Sequence, residues 1–251
     1  MLEKLKSQKP LILNITNHVT MEFIANGLLS LGASPIMSLA EQEMEDLIQL
    51  SNAVVINIGT LDNHFITLAH KAAATANKLY KPVILDPVGA GASKYRTESA
   101  LYLLHNFAID ILRGNASEIL ALAGSNSMTK GVDSTANSQH AIDAGQLLSQ
   151  KYNCAVVISG ATDIVIDHHE IHLSHYGSPL MTHIVGTGCL LSAVIGAFRA
   201  IEPNRFKAAN EAIMFYGQCG EIAAAKTKVP RHFKNYFLEA LNVHTYSPVC
   251  A

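Results

Sequence analysis

Short apolar runs recur along the chain, and most are followed by a stretch with helical spacing. Leu11-Ile12-Leu13-Asn14, after Pro10, predicts a strand that runs out into Asn14-Ile15-Thr16-Asn17-His18. Over 20–31, Phe23, Ile24, Leu28 and Leu31 share one helical face. Ala33 to Met37 is a second run, and 41–50 is again helical, with Met44, Leu47, Ile48 and Leu50 apolar. Ala53-Val54-Val55-Ile56-Asn57-Ile58-Gly59 predicts a strand that Gly59 stops. An alanine-rich helix is expected over 65–79, then a strand at Pro82-Val83-Ile84-Leu85-Asp86 opening into Pro87-Val88-Gly89-Ala90-Gly91-Ala92.

The second half continues the alternation. A helix near 98–104 precedes the run Ala108-Ile109-Asp110-Ile111-Leu112-Arg113. Asn115-Ala116-Ser117-Glu118-Ile119-Leu120 starts a short helix, with Asn115 as its N-cap and Glu118 in its first turn. A helix over 138–151 and a strand at 155–160 follow, then a hairpin of 163–167 and 170–174 around Asp167-His168-His169. His168 and His169 are adjacent in that turn and point to different sides, so they read as turn residues rather than ligands. Helices are expected near 206–226 and 233–241.

Between the hairpin and these last helices, His183-Ile184-Val185-Gly186-Thr187-Gly188-Cys189 runs straight into an apolar stretch, Leu190 to Phe198. Glycines allow a tight turn and close approach of a ligand to the main chain. The first N–H groups of a helix lack intrahelical partners and, with the helix dipole, favour an anion. The turn therefore predicts an anion cradle with Cys189 at its centre. The helix is apolar on nearly every face and is expected to be buried.

Continuous apolar runs alternating with helices predict an α/β fold, a mostly parallel sheet with helices on both faces. Ligands of such sheets bind beyond the carboxyl ends of the strands. The residues there are Asn14, Met37, Asn57, Asp86, Arg113, Ser159 and, through its loop, Cys189. In one cleft, that inventory suits a phosphate, a divalent metal and a small polar substrate. Each also has a plainer reading: Asp86 as a strand-end turn residue, Glu118 as a helix N-terminal charge, Met37 as core filler, Ser159 as a strand-end hydroxyl.

Composition narrows the partners. A chain of 251 residues with 49% hydrophobic content can bury a large core, and 1–251 is read as one domain. Formal net charge is −2 with Lys and Arg scattered, which argues against nucleic acid. Cys154, Cys189, Cys219 and Cys250 show neither CxxC nor metal spacing and fit a reducing cytoplasm. The N-terminus lacks the apolar region of a secretion signal, and no run is long enough to predict a membrane span.

Five segments in this order, Asn14-Ile15-Thr16-Asn17-His18-Val19, Ser34-Pro35-Ile36-Met37, Asp86-Pro87-Val88-Gly89-Ala90-Gly91, Arg113-Gly114-Asn115-Ala116-Ser117-Glu118-Ile119 and Gly186-Thr187-Gly188-Cys189, resemble the hydroxyethylthiazole kinases, a ribokinase-like family. The resemblance covers about 11–241. It implies a ribokinase-like three-layer sandwich and ATP- and Mg²⁺-dependent phosphorylation of 4-methyl-5-(2-hydroxyethyl)thiazole in thiamine biosynthesis. It also implies a homotrimer with active sites at subunit interfaces. Carried over residue by residue, it puts Met37, Gly186 and Asn17 at the thiazole and Arg113, Ser159, Gly188 and Thr187 at ATP. Asp86 and Glu118 fall at the metal, and Cys189 faces the substrate hydroxyl.

Cys189 stands where most ribokinase-like enzymes carry Asp. It is expected to position the alcohol and assist proton removal without a covalent intermediate. A helix N-terminus would lower its pKa and nearby phosphate would raise it. The family's Gly-Pro-Gly-Ser-Phe-like segment is replaced by Val229-Pro230-Arg231-His232-Phe233, which bears on local packing or subunit contacts. The polar stretch 124–133 is expected to be mobile. Rival readings are a hydroxymethylpyrimidine or pyridoxal kinase, an ADP/ATP-dependent hydrate dehydratase, and a non-catalytic nucleotide- or thiazole-binding module.

Overall fold

The strands are β1 (Leu11–Ile15), β2 (Ser34–Met37), β3 (Ala53–Asn57), β4 (Val83–Asp86), β5 (Ile111–Asn115), β6 (Ala155–Ser159), β7 (Asp163–Asp167) and β8 (Glu170–Ser174). In a computed structural model, which describes residues 1–124 and 134–242, they form one sheet in the order β2-β1-β3-β4-β5-β6-β7-β8. Strands β1 to β6 pair in parallel, and β7 and β8 pair antiparallel at one edge.

Alternation along each strand divides the core. Ile12, Val55, Ile84, Ile111 and Val157 pack under α8 (Thr187–Ile201), α9 (Arg205–Lys226) and α2 (Met21–Leu31). Leu13, Ile56, Leu85, Leu112 and Val156 pack under α3 (Met44–Leu50), α4 (Asn63–Lys78), α5 (Lys94–Asn106), α6 (Ala116–Leu122) and α7 (Ser134–Tyr152). Both faces are covered, so the inner strands read as unbroken apolar runs. This is the three-layer α/β architecture expected.

The same alternation sets the site. Counting by twos from Val55, Ile84 and Ile111 puts Asn57, Asp86 and Arg113 on the face covered by α8. Asn57 pairs with Asp86 across β3 and β4, and Arg113 follows the last paired position of β4 and β5, Leu85 with Leu112.

Departures from expectation are local. A first helix α1 (Leu2–Gln8) buries only Leu5, too weak a periodicity to read. The helix expected at 98–104 starts at Lys94 because the Ser93 hydroxyl accepts from Arg96 N. The apolar run from Ala108 pairs as a strand only from Ile111. A 3₁₀ turn, Pro179–His183, precedes the glycine turn. Pro230 opens α10 (Pro230–Ala240); of the altered 229–233 segment only Phe233 is buried, stacked on Phe237 at 5.7 Å, while 229–232 are exposed. His168 sits in the hairpin turn at φ 53°, its N–H bonded to Ser149 Oγ at 2.8 Å. The stretch expected to be mobile lies, from residue 125 on, outside the described residues, as does Cys250.

Candidate active site

Asp86 is the centre of the polar row and is fully buried. Its Oδ2 accepts from Asn57 Nδ2 at 2.7 Å and from Ser192 Oγ at 2.8 Å, and lies 3.5 Å from Arg113 Nη1. Its Oδ1 is buried without a hydrogen-bond partner. Burial pushes the Asp86 carboxyl up, against the pull of the Arg113 guanidinium and the Ser192 and Asn57 hydrogen bonds; the nearby Glu118 charge adds to the rise.

Arg113 also donates through Nη2 to Ser159 Oγ, while its buried Nε is unpartnered. Glu118 closes a capping box: Asn115 Oδ1 accepts from Glu118 N at 3.0 Å, and Glu118 Oε2 accepts from Asn115 N at 2.9 Å. Its Oε1 accepts from Gly89 N at 2.9 Å. Glu118 thus pins the loop after β4 to the start of α6.

The glycine turn lies across this row. Gly186 is left-handed at φ 96°, and a Cβ there would meet Thr20 Cγ2 at 2.7 Å. A Cβ at Gly188 would meet Arg113 Nη1 at 2.9 Å, so the guanidinium lies directly over the turn. The Leu190 N to Gly186 O bond, at 2.8 Å, is the first of α8, leaving the N–H groups of Thr187, Gly188 and Cys189 without intrahelical acceptors. The Thr187 hydroxyl is turned away, donating to Met181 O at 2.9 Å, and Tyr216 donates to Thr187 O at 2.6 Å. Only the main chain of Thr187 is left to meet a ligand.

Beyond β5 and β6, a cleft of about 510 Å³ is bounded by Arg113, Ser159, Asp163, Tyr176, Thr187 and Gly188. Asp163 was not among the expected site residues. Burial pushes its carboxyl up to about 6, despite the Gly160 N–H it accepts at 2.9 Å and the Arg113 charge.

Cys189 is half-buried at the other side of the turn, and its Sγ accepts from Asn17 Nδ2 at 3.4 Å. Burial first, and then the Asp86 charge, push the thiol up, outweighing hydrogen bonds from Asn57 and Thr20 and the Arg113 charge. Cys189 is therefore a thiol, not a thiolate, at neutral pH. Asn17 Nδ2 also donates to Asn57 Oδ1 at 3.0 Å, and its Oδ1 accepts from Thr20 N at 3.0 Å and Thr20 Oγ1 at 2.9 Å.

Asp86, Arg113, Ser159, Asn17, Cys189 and the glycine turn thus meet in one place. Met37 ends the edge strand β2 opposite Asn14 and is half-buried against the core under α8. Ser192 and Thr20 escaped the sequence reading. Ser192 had a legible signal, since it lies one helical turn beyond Cys189 on the same face; Thr20, seen only as the start of a helix, had none.

A mostly parallel sheet covered by helices on both faces, with a glycine turn leading into a buried helix beyond its strand ends, is a ribokinase-like fold. A ribokinase-like protein from Enterococcus faecalis shares this fold at a TM-score of 0.67 and 16% identity, over 95% of this chain and 87% of that one. The family model described as the hydroxyethylthiazole kinase family matches residues 2–245, and the chain belongs to that family. It is 45% identical to a hydroxyethylthiazole kinase of Brachyspira hyodysenteriae over 96% of this chain and 90% of that protein. A solved hydroxyethylthiazole kinase structure from Pyrococcus horikoshii superposes at a TM-score of 0.89 and 38% identity, over 98% of this chain and 94% of that one. Among the described residues, no helix is long and apolar enough to cross a membrane.

Proposed function

We propose that the protein transfers the γ-phosphoryl group of ATP to the hydroxyl of 4-methyl-5-(2-hydroxyethyl)thiazole, a step of thiamine biosynthesis, and that 1–251 acts as one kinase domain. The meeting of Asp86, Arg113 and the glycine turn beside an open cleft carries this reading. Phosphoryl transfer needs little covalent chemistry from the protein; it needs positioning and stabilisation of charge. The cleft beyond β5 and β6 takes the nucleotide. Arg113, held by Ser159, presents its fork to the phosphates, and the N–H groups of Thr187, Gly188 and Cys189 receive the transferred group. Gly186, Asn17 and Met37 lie on the thiazole side.

The orphan Oδ1 of Asp86 suits a hard cation that keeps water and phosphate oxygens as its other ligands. Asp86 would hold Mg²⁺ brought in with ATP, with Glu118 reaching it through water, and the ion would supply neutralisation of the phosphate charge. Cys189, as a thiol, orients the alcohol beside the phosphoryl group. Cys189→Ala is expected to lower kcat about tenfold, well short of the 10²–10⁴ a full general base contributes; an unchanged kcat would remove Cys189 from the site.

Asp163 makes nucleotide binding pH-dependent. Its carboxyl ionises around pH 6, and the ionised form puts negative charge in the cleft beside the triphosphate. The KM for ATP is expected to rise between pH 5.5 and 7.5 more steeply in the wild type than in Asp163→Asn, as parallel steady-state assays would measure; equal slopes would contradict this.

Val19 and Val185, each 72% exposed, flank the substrate side of the turn. Their exposure supports a neighbouring copy covering that side; the family resemblance implies a homotrimer, and light scattering is expected to give three chains. The free Cys154, Cys189 and Cys219 support a cytoplasmic setting. The direct test of the activity is incubation with ATP, Mg²⁺ and the thiazole alcohol, reading the phosphate ester by mass. The product should appear, and should vanish when a chelator removes the metal; absence of product with both present would overturn the proposal.

A further inference from the structure

Asn57 lies between the two halves of the site, bonded to Asp86 on one side and to Asn17 and Cys189 on the other, and the transfer reading gives it no part. It is buried, and its amide orientation is fixed from the main chain. Gly59 N donates to Asn57 Oδ1 at 3.0 Å, so that atom must be the oxygen, and Nδ2 must face Asp86 Oδ2 at 2.7 Å. Asn17 is fixed in the same way. Thr20 N donates to its Oδ1 at 3.0 Å, so Nδ2 must face Asn57 Oδ1 at 3.0 Å and Cys189 Sγ at 3.4 Å.

Two main-chain N–H groups therefore set the direction of a continuous series of donors and acceptors. It runs from Asp86 through Asn57 and Asn17 to Cys189. Ser192 donates to the same oxygen of Asp86 as Asn57 does, at 2.8 Å. Both donors hold Oδ2, and this leaves Oδ1 as the free atom.

We propose that Asn57 is a positioning residue of the transfer site, holding Asp86 with Oδ1 free and holding the Asn17 amide toward Cys189. It rests on the phosphoryl-transfer reading above, because its effect on rate passes through Asp86, Asn17 and Cys189. It touches neither nucleotide nor alcohol in that reading. Its loss should lower kcat and leave the KM for ATP nearly unchanged.

A double-substitution cycle separates positioning from general loss of stability. Wild type, Asn57→Ala, Asn17→Ala and the double variant are compared by kcat, by KM for ATP and by the rate at which iodoacetamide alkylates Cys189, followed by peptide mass. Asn57→Ala is expected to lower kcat by about tenfold to a hundredfold, with the KM for ATP within about twofold. In the Asn17→Ala background the further loss should be less than the single-variant loss, because the two residues act as a unit. The alkylation rate should change at least about threefold on Asn57→Ala when Asn17 is present and by a smaller factor when it is absent, the remainder being the direct hydrogen bond of Asn57 to the thiol.

Effects that multiply in both readouts, or an Asn57→Ala protein equal to the parent, would overturn the inference. The alkylation arm needs no substrate, so it decides the matter even if the wild type does not phosphorylate the thiazole, an outcome that would sink the proposed function instead. Should Asn57→Ala fail to fold, Asn57→Ser, too short to reach Asp86 and Asn17 together, takes its place with the same expected pattern.

Discussion

Asp86→Asn is expected to lower kcat by about 10²–10³-fold, the range seen when a preorganised electrostatic contact is removed from a transition state. The substitution keeps the shape of the side chain and an oxygen that can accept from Asn57 or Ser192. It removes the charge that faces Arg113 at 3.5 Å and the anionic character of Oδ1. Steady-state kinetics at saturating ATP and alcohol would measure the loss, and a fall of less than about fivefold would mean that Asp86 is only a strand-end residue. Stability should respond differently. Burial holds the folded carboxyl above its ordinary value of 3.8, so the folded protein binds that proton more tightly than the unfolded chain does. Wild-type stability relative to the variant is therefore fully present below the ordinary value and is lost as pH rises through the raised one. The melting temperature of Asp86→Asn minus that of the wild type should grow from pH 4 towards neutrality.

Gly186→Ala should produce the largest loss of stability. At φ 96° a side chain is strained whatever the space, and here the new methyl would lie 2.7 Å from Thr20 Cγ2 and 3.2 Å from Phe23 Cδ1. Left-handed strain and overpacking together cost about 3 kcal/mol, which in a chain of this size lowers Tm by roughly 10 °C. Gly188→Ala, two residues on, should behave in the opposite way. Gly188 has no unusual φ, and its methyl would meet a side-chain end, the guanidinium of Arg113, at 2.9 Å from Nη1, and not backbone. The guanidinium moves aside, so the KM for ATP should rise about tenfold while Tm changes by no more than a few degrees. Thermal melts and ATP titrations on the pair would check both; similar Tm losses in the two variants would contradict the distinction.

The elements were legible because each inner strand is buried on both faces. Ala53-Val54-Val55-Ile56 and Ala155-Val156-Val157-Ile158 could hardly be anything else, and the strand ends then placed Asn57, Asp86, Arg113 and Ser159 by counting. Asn115 and Glu118 were legible as a helix start because capping is local in sequence, and both capping hydrogen bonds are present. The bond from Gly89 N to Glu118 Oε1 is not local and left no trace in either segment.

Cys189 shows why electrostatics resists reading from the sequence. The helix N-terminus is visible in the chain, but the effects that push the thiol up, burial and the charge of Asp86 more than a hundred residues earlier, exist only in the fold. Asp163 was hidden for a related reason: the alternation of the hairpin marks it as a strand start, and only the packing of β7 beside β6 brings it to the cleft. Met37 ends where the strand pattern put it, at the close of the edge strand β2 opposite Asn14, and its own surroundings do not assign it to a substrate.

The measurement that bears most directly on the account is a parallel determination of kcat/KM with ATP and Mg²⁺ for hydroxyethylthiazole, hydroxymethylpyrimidine and pyridoxal. The account predicts phosphorylation of the thiazole alcohol with the other two at least about a hundredfold poorer, a difference of nearly 3 kcal/mol in transition-state binding. Preference for the pyrimidine or for pyridoxal would leave the phosphate site standing and contradict the assignment of Asn17, Met37 and Gly186 to a thiazole. No product from any of the three would contradict phosphoryl transfer itself.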